Sequence, residues 1–274
     1  MKIGVLSDLH IDINDRKLAP GTTYDQLLAE LLYNNEVDIL LLAGDISSDY
    51  RDSLKFLDKM RNHNVSKLFF VPGNHDYWSV RNNETNTKKI DRIFNERDES
   101  LVGRPFILNE NQAIVANPGW YDYGFASKKY SLEEFENKKL NVGGWNDRLY
   151  VHWNKPDQVV ASEMLQQIER DIQSTNKRDI ILMTHVATHP QFVVPLPNRM
   201  YDYYNAFLGS KSYTALYDKY PINKSIMGHV HFRKTLKEKG IVYYCSCLGN
   251  GRHWWSDDPI VELSYAMETF EIEE

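Results

Sequence analysis

A chain of 274 residues is long enough for one large domain or two small ones, with a sizeable core. Its net charge of −6 and pI of about 5.9 argue against broad electrostatic binding to nucleic acid or anionic lipid. No apolar run approaches the roughly 20 residues that span a bilayer.

Lys2-Ile3-Gly4-Val5-Leu6 is a short apolar run of the buried-strand kind. It begins almost at Met1, so no signal peptide is expected. The run ends in Ser7-Asp8-Leu9-His10, and extended geometry would put Asp8 and His10 on one side. A turn Asp beside a surface His is the plainer alternative. Thr23 and Gln26 form a capping box ahead of Tyr24, Leu27, Leu28, Leu31 and Leu32 at helical spacing. That helix leads to a second buried strand over 37–43, which ends in Gly44-Asp45. Leu54, Leu57 and Met60 mark another helix. Lys67 to Val71 is a third strand, ended by Pro72 and followed by Gly73-Asn74-His75-Asp76. This alternation predicts a sheet with a parallel half, and ligands bind outside the carboxyl ends of such strands.

Asn82 to Thr87 is polar and reads as a surface loop; Ile90, Ile93 and Phe94 suggest a short helix. Residues 106–108 and 113–116 read as a hairpin. Residues 117–155 hold Trp120, Tyr121, Tyr123, Phe125, Tyr130, Trp145, Tyr150 and Trp153 between glycines, with Ser131 placed to cap a short helix. This excursion is either a loop packed by its own side chains or the wall of a binding cleft. Asp157 to Ile172 is an amphipathic helix, and Asp179 to Met183 a strand ending in Thr184-His185. Residues 186–222 are irregular and aromatic, a lid or a dimer contact, with a short helix near Tyr213 to Tyr217. Lys224 to Met227 is a strand ending in Gly228-His229-Val230-His231. Strands are then expected at 235–236, 241–245, 260–263 and 269–272, and Gly249-Asn250-Gly251 is a turn presenting Arg252 and His253. The two cysteines, Cys245 and Cys247, share one strand face, are poorly placed to bond to each other, and read as thiols of a reducing compartment. With no repeat or linker, residues 1–274 are expected to form one cytoplasmic domain, with insertions near 117–155 and 186–222.

Five strand ends thus carry Asp8 and His10, Asp45, Asn74 and His75, His185, and His229 and His231. Nitrogen and oxygen donors without thiolate suit divalent metals of the Mn, Fe, Co and Zn kind. That many donors fit two metals if one carboxylate bridges. The pattern Asp8-x-His10, Gly44-Asp45, Gly73-Asn74-His75-Asp76, His185 and Gly228-His229-x-His231 resembles the calcineurin-like metallophosphoesterase family, with every motif in the family's order. The resemblance implies an α/β fold, a two-sheet β-sandwich flanked by helices in four αββα layers. It implies two divalent metal ions (Mn, Fe or Zn): Asp8, His10 and His231 on the first, Asp45 bridging, and Asn74, His185 and His229 on the second. His75 would be the catalytic general acid or electrostatic stabiliser over the phosphate, while a hydroxide bridging the metals attacks phosphorus.

The family's protein phosphatases carry Asp and Arg three and four positions after the bridging Asp; here Ser48 and Asp49 stand there. The Arg that would grip a phosphomonoester dianion and the acid that would orient His75 are both missing. A small or nucleotide-like phosphodiester is therefore the expected substrate, rather than long nucleic acid. A phosphomonoesterase or pyrophosphohydrolase, or a non-catalytic interaction module on the same fold, are the alternatives. Trp120, Tyr121, Arg252 and His253 are candidate substrate contacts. Asp76 is expected to turn the backbone rather than bind metal, and His63, His152 and His189 to be ordinary histidines.

Overall fold

The apolar runs become strands because each is buried on both faces, and the amphipathic stretches become the helices that cover them. The computed structural model describes residues 1–81, 84–140, 143–177 and 179–272. Asn82 and Asn83, at the start of the expected polar loop, lie outside them. The first part of the chain forms β1 (Lys2–Leu6), α1 (Ile11–Asn14), α2 (Tyr24–Asn34), β2 (Ile39–Leu42), α3 (Tyr50–His63), β3 (Lys67–Phe70), α4 (Thr87–Asn95), β4 (Phe106–Ile107) and β5 (Gln112–Ala116). The middle forms α5 (Leu132–Glu136), β6 (Lys139–Leu140), β7 (Gly143–Gly144), α6 (Asp147–Tyr150), α7 (Asp157–Thr175), β8 (Asp179–Met183), α8 (Tyr201–Tyr204) and α9 (Thr214–Lys219). The last part forms β9 (Ile222–Met227), β10 (Arg233–Glu238), β11 (Ile241–Ser246), α10 (Pro259–Ala266) and β12 (Glu268–Glu271).

Two large sheets result, ordered β12-β1-β2-β3 and β10-β11-β9-β8-β5-β4, beside a two-stranded pair, β6-β7. In the first, β1, β2 and β3 are parallel, with Ile3 opposite Ile39 and Leu42 opposite Phe70, and β12 closes the edge antiparallel. In the second, β5, β8, β9 and β11 are parallel, with antiparallel β4 and β10 at the edges. Ile3, Val5, Leu41 and Phe69 of the first sheet meet Ile114, Ile181, Met183 and Ile226 of the second in a buried layer. The outer face of the first sheet packs under α2, α3, α4 and α10, through Leu40, Leu42 and Phe70 against Leu28, Leu57, Phe94 and Leu263. The outer face of the second packs on α7 and α9 through Ile168, Ile172 and Leu216. The architecture is the expected one, two sheets between helices.

Residues 260–263, expected as a strand, lie in helix α10. Asp258 caps it by accepting from the Ile260 N–H, and Pro259 occupies its first turn. The short run Ile-Val-Glu-Leu has no period that separates strand from helix; burial of Glu262, Leu263 and Ala266 on one side decides it. The aromatic stretch 117–155 divides: Trp120, Tyr121, Tyr123, Phe135 and Trp153 join the large core under α2 to α4, whereas Gly143 to Asp147 reach the cleft described next. Among the described residues no helix is long and apolar enough to cross a membrane.

Candidate metal centre

The carboxyl ends of β1, β2, β3, β8 and β9 converge, and each is followed by the polar residues singled out in the sequence. The backbone there is tightly turned. Asp8, His10, Asp45, His229 and His231 all have φ between 42° and 71°, a left-handed conformation uncommon for residues other than glycine. Two glycines permit the approach. A Cβ on Gly73 would lie 2.1 Å from Asp45 Oδ1, and one on Gly228 2.5 Å from Asp8 Oδ2.

Two donor groups result, Asp8, His10, Asp45 and His231, and Asp45, His185 and His229, each with its ligand atoms within 4.8 Å of one another. Asp45 belongs to both. In the first group His10 Nε2 lies 2.9 Å from His231 Nε2 and 3.7 Å from Asp45 Oδ2, and Asp8 Oδ1 lies 3.4 Å from His231 Nε2. In the second, His185 Nε2 lies 3.1 Å from both His229 Nδ1 and Asn74 Oδ1, and 3.5 Å from Asp45 Oδ1. His185 Nδ1 donates to the Ala43 carbonyl (2.8 Å) and His229 Nε2 to that of Phe207 (2.9 Å). Those two bonds set the tautomers, so the nitrogens facing each other both carry lone pairs. Asp45 Oδ2 is buried without a hydrogen-bond partner. Lone pairs pointed at one another around an orphaned carboxylate oxygen fit a cation in each group.

The electrostatics agree. Burial, then the neighbouring Asp8 and Asp76, pushes the Asp45 carboxyl well above its ordinary range. Burial, then His231, holds His10 well below the usual histidine value, and burial with His185 lowers His229 to about 3. The protein alone presents neutral imidazoles and carboxylates that resist sharing a dry pocket, which divalent cations would relieve.

The sequence model for calcineurin-like phosphoesterases matches residues 1–233. The chain belongs to that family. No curated protein matches it. Among solved structures it is similar to a phosphopantetheinyl hydrolase from Mycobacterium tuberculosis, with 19% identity, 92% of this chain and 90% of that one covered, and a TM-score of 0.69. It is also similar to a dimetal phosphatase from Danio rerio (15% identity, 89% and 86% covered, TM-score 0.52) and to a Thermus thermophilus protein, TT1561 (11%, 98% and 97%, 0.52). These likenesses are likenesses of fold. The calcineurin-like family is dependent on a dinuclear metal centre, so the chain is a metal-dependent phosphoesterase with candidate ligands for both ions in place.

In this calcineurin-like phosphoesterase the centre opens into a cleft of about 600 Å³. One wall comes from the first aromatic insertion, Gly143 to Asp147, and the other from residues 192–208, with Phe192, Val194, Met200, Tyr201, Tyr204 and Leu208. Val230 and Phe232 complete it beside Asp45, Asn74, His75, Trp78, His229 and His231. Trp120 and Tyr121 do not line it. Both are fully buried behind it; the Trp120 indole donates to Asp157 (2.8 Å) and the Tyr121 hydroxyl to Asp147 (2.6 Å). The two side chains are too large and too well partnered to leave the core. Arg252 and His253 are exposed beyond the turn whose Gly249 N–H donates to the Asp8 carbonyl (2.9 Å), and neither lines the cleft.

His75 sits at the cleft floor. Its ring stacks on Trp78 at 3.8 Å, and its Nδ1 lies 3.1 Å from Ser48 Oγ. Burial, then His231 and His229, holds its pKa well below the ordinary value. Asp49, one residue on, caps α3 by accepting from the Arg51 N–H. Asp76 turns the backbone, accepting from the N–H groups of Gly73 (2.8 Å), Asp45 (2.7 Å) and Ile46 (3.0 Å) and from Ser53 Oγ (2.6 Å). Burial pushes it up to about 6, while Ser53 and the backbone donors pull the other way. Sequence reasoning missed Asp147. It is wholly buried at the start of α6 and accepts from Asn74 Nδ2 (3.0 Å), Trp78 Nε1 (2.7 Å), Tyr121 OH (2.6 Å) and Trp145 Nε1 (2.8 Å). An Asp among tryptophans and tyrosines was the available signal.

Proposed function

We propose that the chain is a phosphodiesterase acting on a small substrate whose ester arm is uncharged. The carrying observation is the cleft wall: apart from the side chains at the centre, two glycines, Asn146 and the hydrogen-bonded Asp147, it is aromatic and aliphatic, and no Lys or Arg is among its described lining residues. A phosphodiester carries one negative charge and needs no cation beyond the metal centre, whereas the extra charge of a monoester dianion or a pyrophosphate is commonly gripped by Arg or Lys, and none lines this wall among the described residues. The name of the Mycobacterium neighbour makes a phosphopantetheinyl ester, with its long uncharged arm, one compound to assay.

In this reading Asp8, His10, His231 and Asp45 would hold one metal, and Asp45, Asn74, His185 and His229 would hold the other. The bound ions would supply a Lewis acid and lower the pKa of water to about 7. Asp8 and Asp45 offset two of four formal positive charges, leaving about +2 to attract the ester. Asn74 is a neutral ligand and adds no third negative charge. His75, held by Ser48 at Nδ1 and stacked on Trp78, keeps Nε2 for the leaving oxygen; in its protonated form it would deliver a proton there, an effect worth ~100-fold to 10,000-fold, and in its neutral form it would act only as an electrostatic stabiliser. The cytoplasmic placement is part of the same proposal and rests on the buried thiols Cys245 and Cys247. So is a single domain, since the donors come from both sheets.

The test is turnover of bis-p-nitrophenyl phosphate against p-nitrophenyl phosphate on chelator-stripped protein with Mn²⁺ restored. Metal-dependent diester turnover that falls at least ~100-fold in His75→Ala is expected. Preference for the monoester would overturn the diester reading, and no turnover with two metals bound would favour the interaction module.

A further inference from the structure

Asn74 is a ligand of an awkward kind. An amide has nearly the same shape either way round, yet only its oxygen has a lone pair for a cation. Nothing in the donor group itself dictates which end faces inward, because a neutral His185 Nε2 tolerates an N–H as well as it tolerates a metal-bound oxygen. The deciding contact lies on the other side. Asn74 Nδ2 donates to Asp147 Oδ1 at 3.0 Å, and a carboxylate oxygen only accepts, so the amide nitrogen must face Asp147 and Oδ1 must face His185.

We propose that Asp147 is a positioning residue that fixes Asn74 as an oxygen ligand of the second metal and ties that ligand to the cleft wall. The proposal rests on the metal-centre reading above. Its carboxylate is fully buried and takes four hydrogen bonds, all from uncharged donors. Oδ1 receives Asn74 and the Trp78 indole; Oδ2 receives Tyr121 and the Trp145 indole. Each oxygen therefore faces one tryptophan N–H, a group that can only donate. An amide in place of the carboxylate must turn its own NH₂ toward one of the two indoles. Turned toward Trp78 and Asn74, it also pushes the Asn74 amide to reverse. The same carboxylate anchors Trp78, which stacks on His75 at 3.8 Å, and Trp145, which forms the cleft wall. One acidic side chain from the first insertion thus joins a metal ligand, the support under His75 and the substrate wall.

The experiment titrates chelator-stripped protein with Mn²⁺ by calorimetry, with metal per chain counted by mass spectrometry and folding checked by thermal melting. The native chain should bind two ions. Asp147→Asn should bind one as the native chain does and the second ~10-fold to 100-fold more weakly, the usual cost of losing a partner behind a ligand. The double variant Asn74→Asp with Asp147→Asn exchanges donor and acceptor across the same contact. It should bind the second ion more tightly than either single variant. Native affinity for both ions in folded Asp147→Asn would overturn the proposal, as would a double variant no tighter than the singles. If Asp147→Asn does not fold, the double variant decides. If neither folds, Asp147 is a folding residue and the positioning role is overturned. A native chain binding fewer than two ions would instead refute the metal-centre reading, and this proposal with it.

Discussion

Ser48 Oγ lies 3.1 Å from His75 Nδ1, at the chain position where protein phosphatases of the family carry an acid. A hydroxyl can accept a hydrogen bond from the imidazole N–H but brings no charge to stabilise the imidazolium. Burial and the surrounding histidines already hold the His75 pKa well below its ordinary value. The imidazolium is therefore weakly supported, which suits a leaving group protonated by a strong acid.

Ser48→Asp should reverse that. A carboxylate beside His75 favours the charged ring and raises its pKa by about one unit or more, within the roughly 1–3 units typical of an adjacent opposite charge. The alkaline limb of the kcat/KM profile for a diester should move up by a similar amount. An unmoved limb in a folded, metal-loaded variant would remove His75 from the acid role.

Asp45 serves both donor groups, and its carboxyl is pushed up by burial and by Asp8 and Asp76. Asp45→Asn should abolish high-affinity binding of both ions, whereas His231→Ala should weaken only one. In the metal-free chain the same Asp45→Asn change removes a strained buried charge and should raise the melting temperature, because an uncompensated ion costs more than a neutral amide. Lower stability without metal would mean that Asp45 is a fold residue first.

The parallel half of the first sheet and the ligand ends were legible because short apolar runs alternate with helical spacing and end close to Gly or ligand-type side chains. Asp8, Asp45, His185 and His229 are brought together by topology alone. The cleft wall was not legible. Trp120 is buried with its indole on Asp157 and Trp145 half-buried with its indole on Asp147, contacts that span 37 residues in one case and two in the other. Composition does not encode which aromatic finds which carboxylate. Helix α10 was missed for a related reason: a four-residue apolar run has no period, and the cap at Asp258 outweighs it.

The distinction between those aromatics can be measured. Trp120→Ala empties a fully buried site and should cost about 3–5 kcal/mol of stability, the usual range for a large core aromatic. Its KM for a diester should change little in the fraction that stays folded. Tyr204→Ala, on a half-buried cleft residue, should do the opposite: a KM raised several-fold with melting shifted by only a few degrees. If both variants raise KM equally with no loss of stability, Trp120 belongs to the cleft wall after all.

Acid should unfold the metal-free chain earlier than its surface charge suggests. Burial holds His10, His75, His185, His189 and His229 below their ordinary value of 6.5. A histidine whose folded pKa is depressed takes up its proton first in the unfolded chain, so stability is full above 6.5 and is lost as pH falls below it, down to about 3 for His229. Asp45, Asp76, Asp91 and Asp171, all raised by burial, work in the other direction; Asp76 at about 6 binds its proton in the fold before the unfolded carboxyl does at 3.8. Five histidines outweigh these four carboxyls, so the net slope between pH 6.5 and about 4 is expected to be a loss of stability on acidification. Mn²⁺ should steepen it, because protons and metal compete for the same nitrogens. Melting temperatures of the stripped chain from about pH 7.5 to 5 check this; a flat profile would show that these imidazoles are not held neutral in the fold.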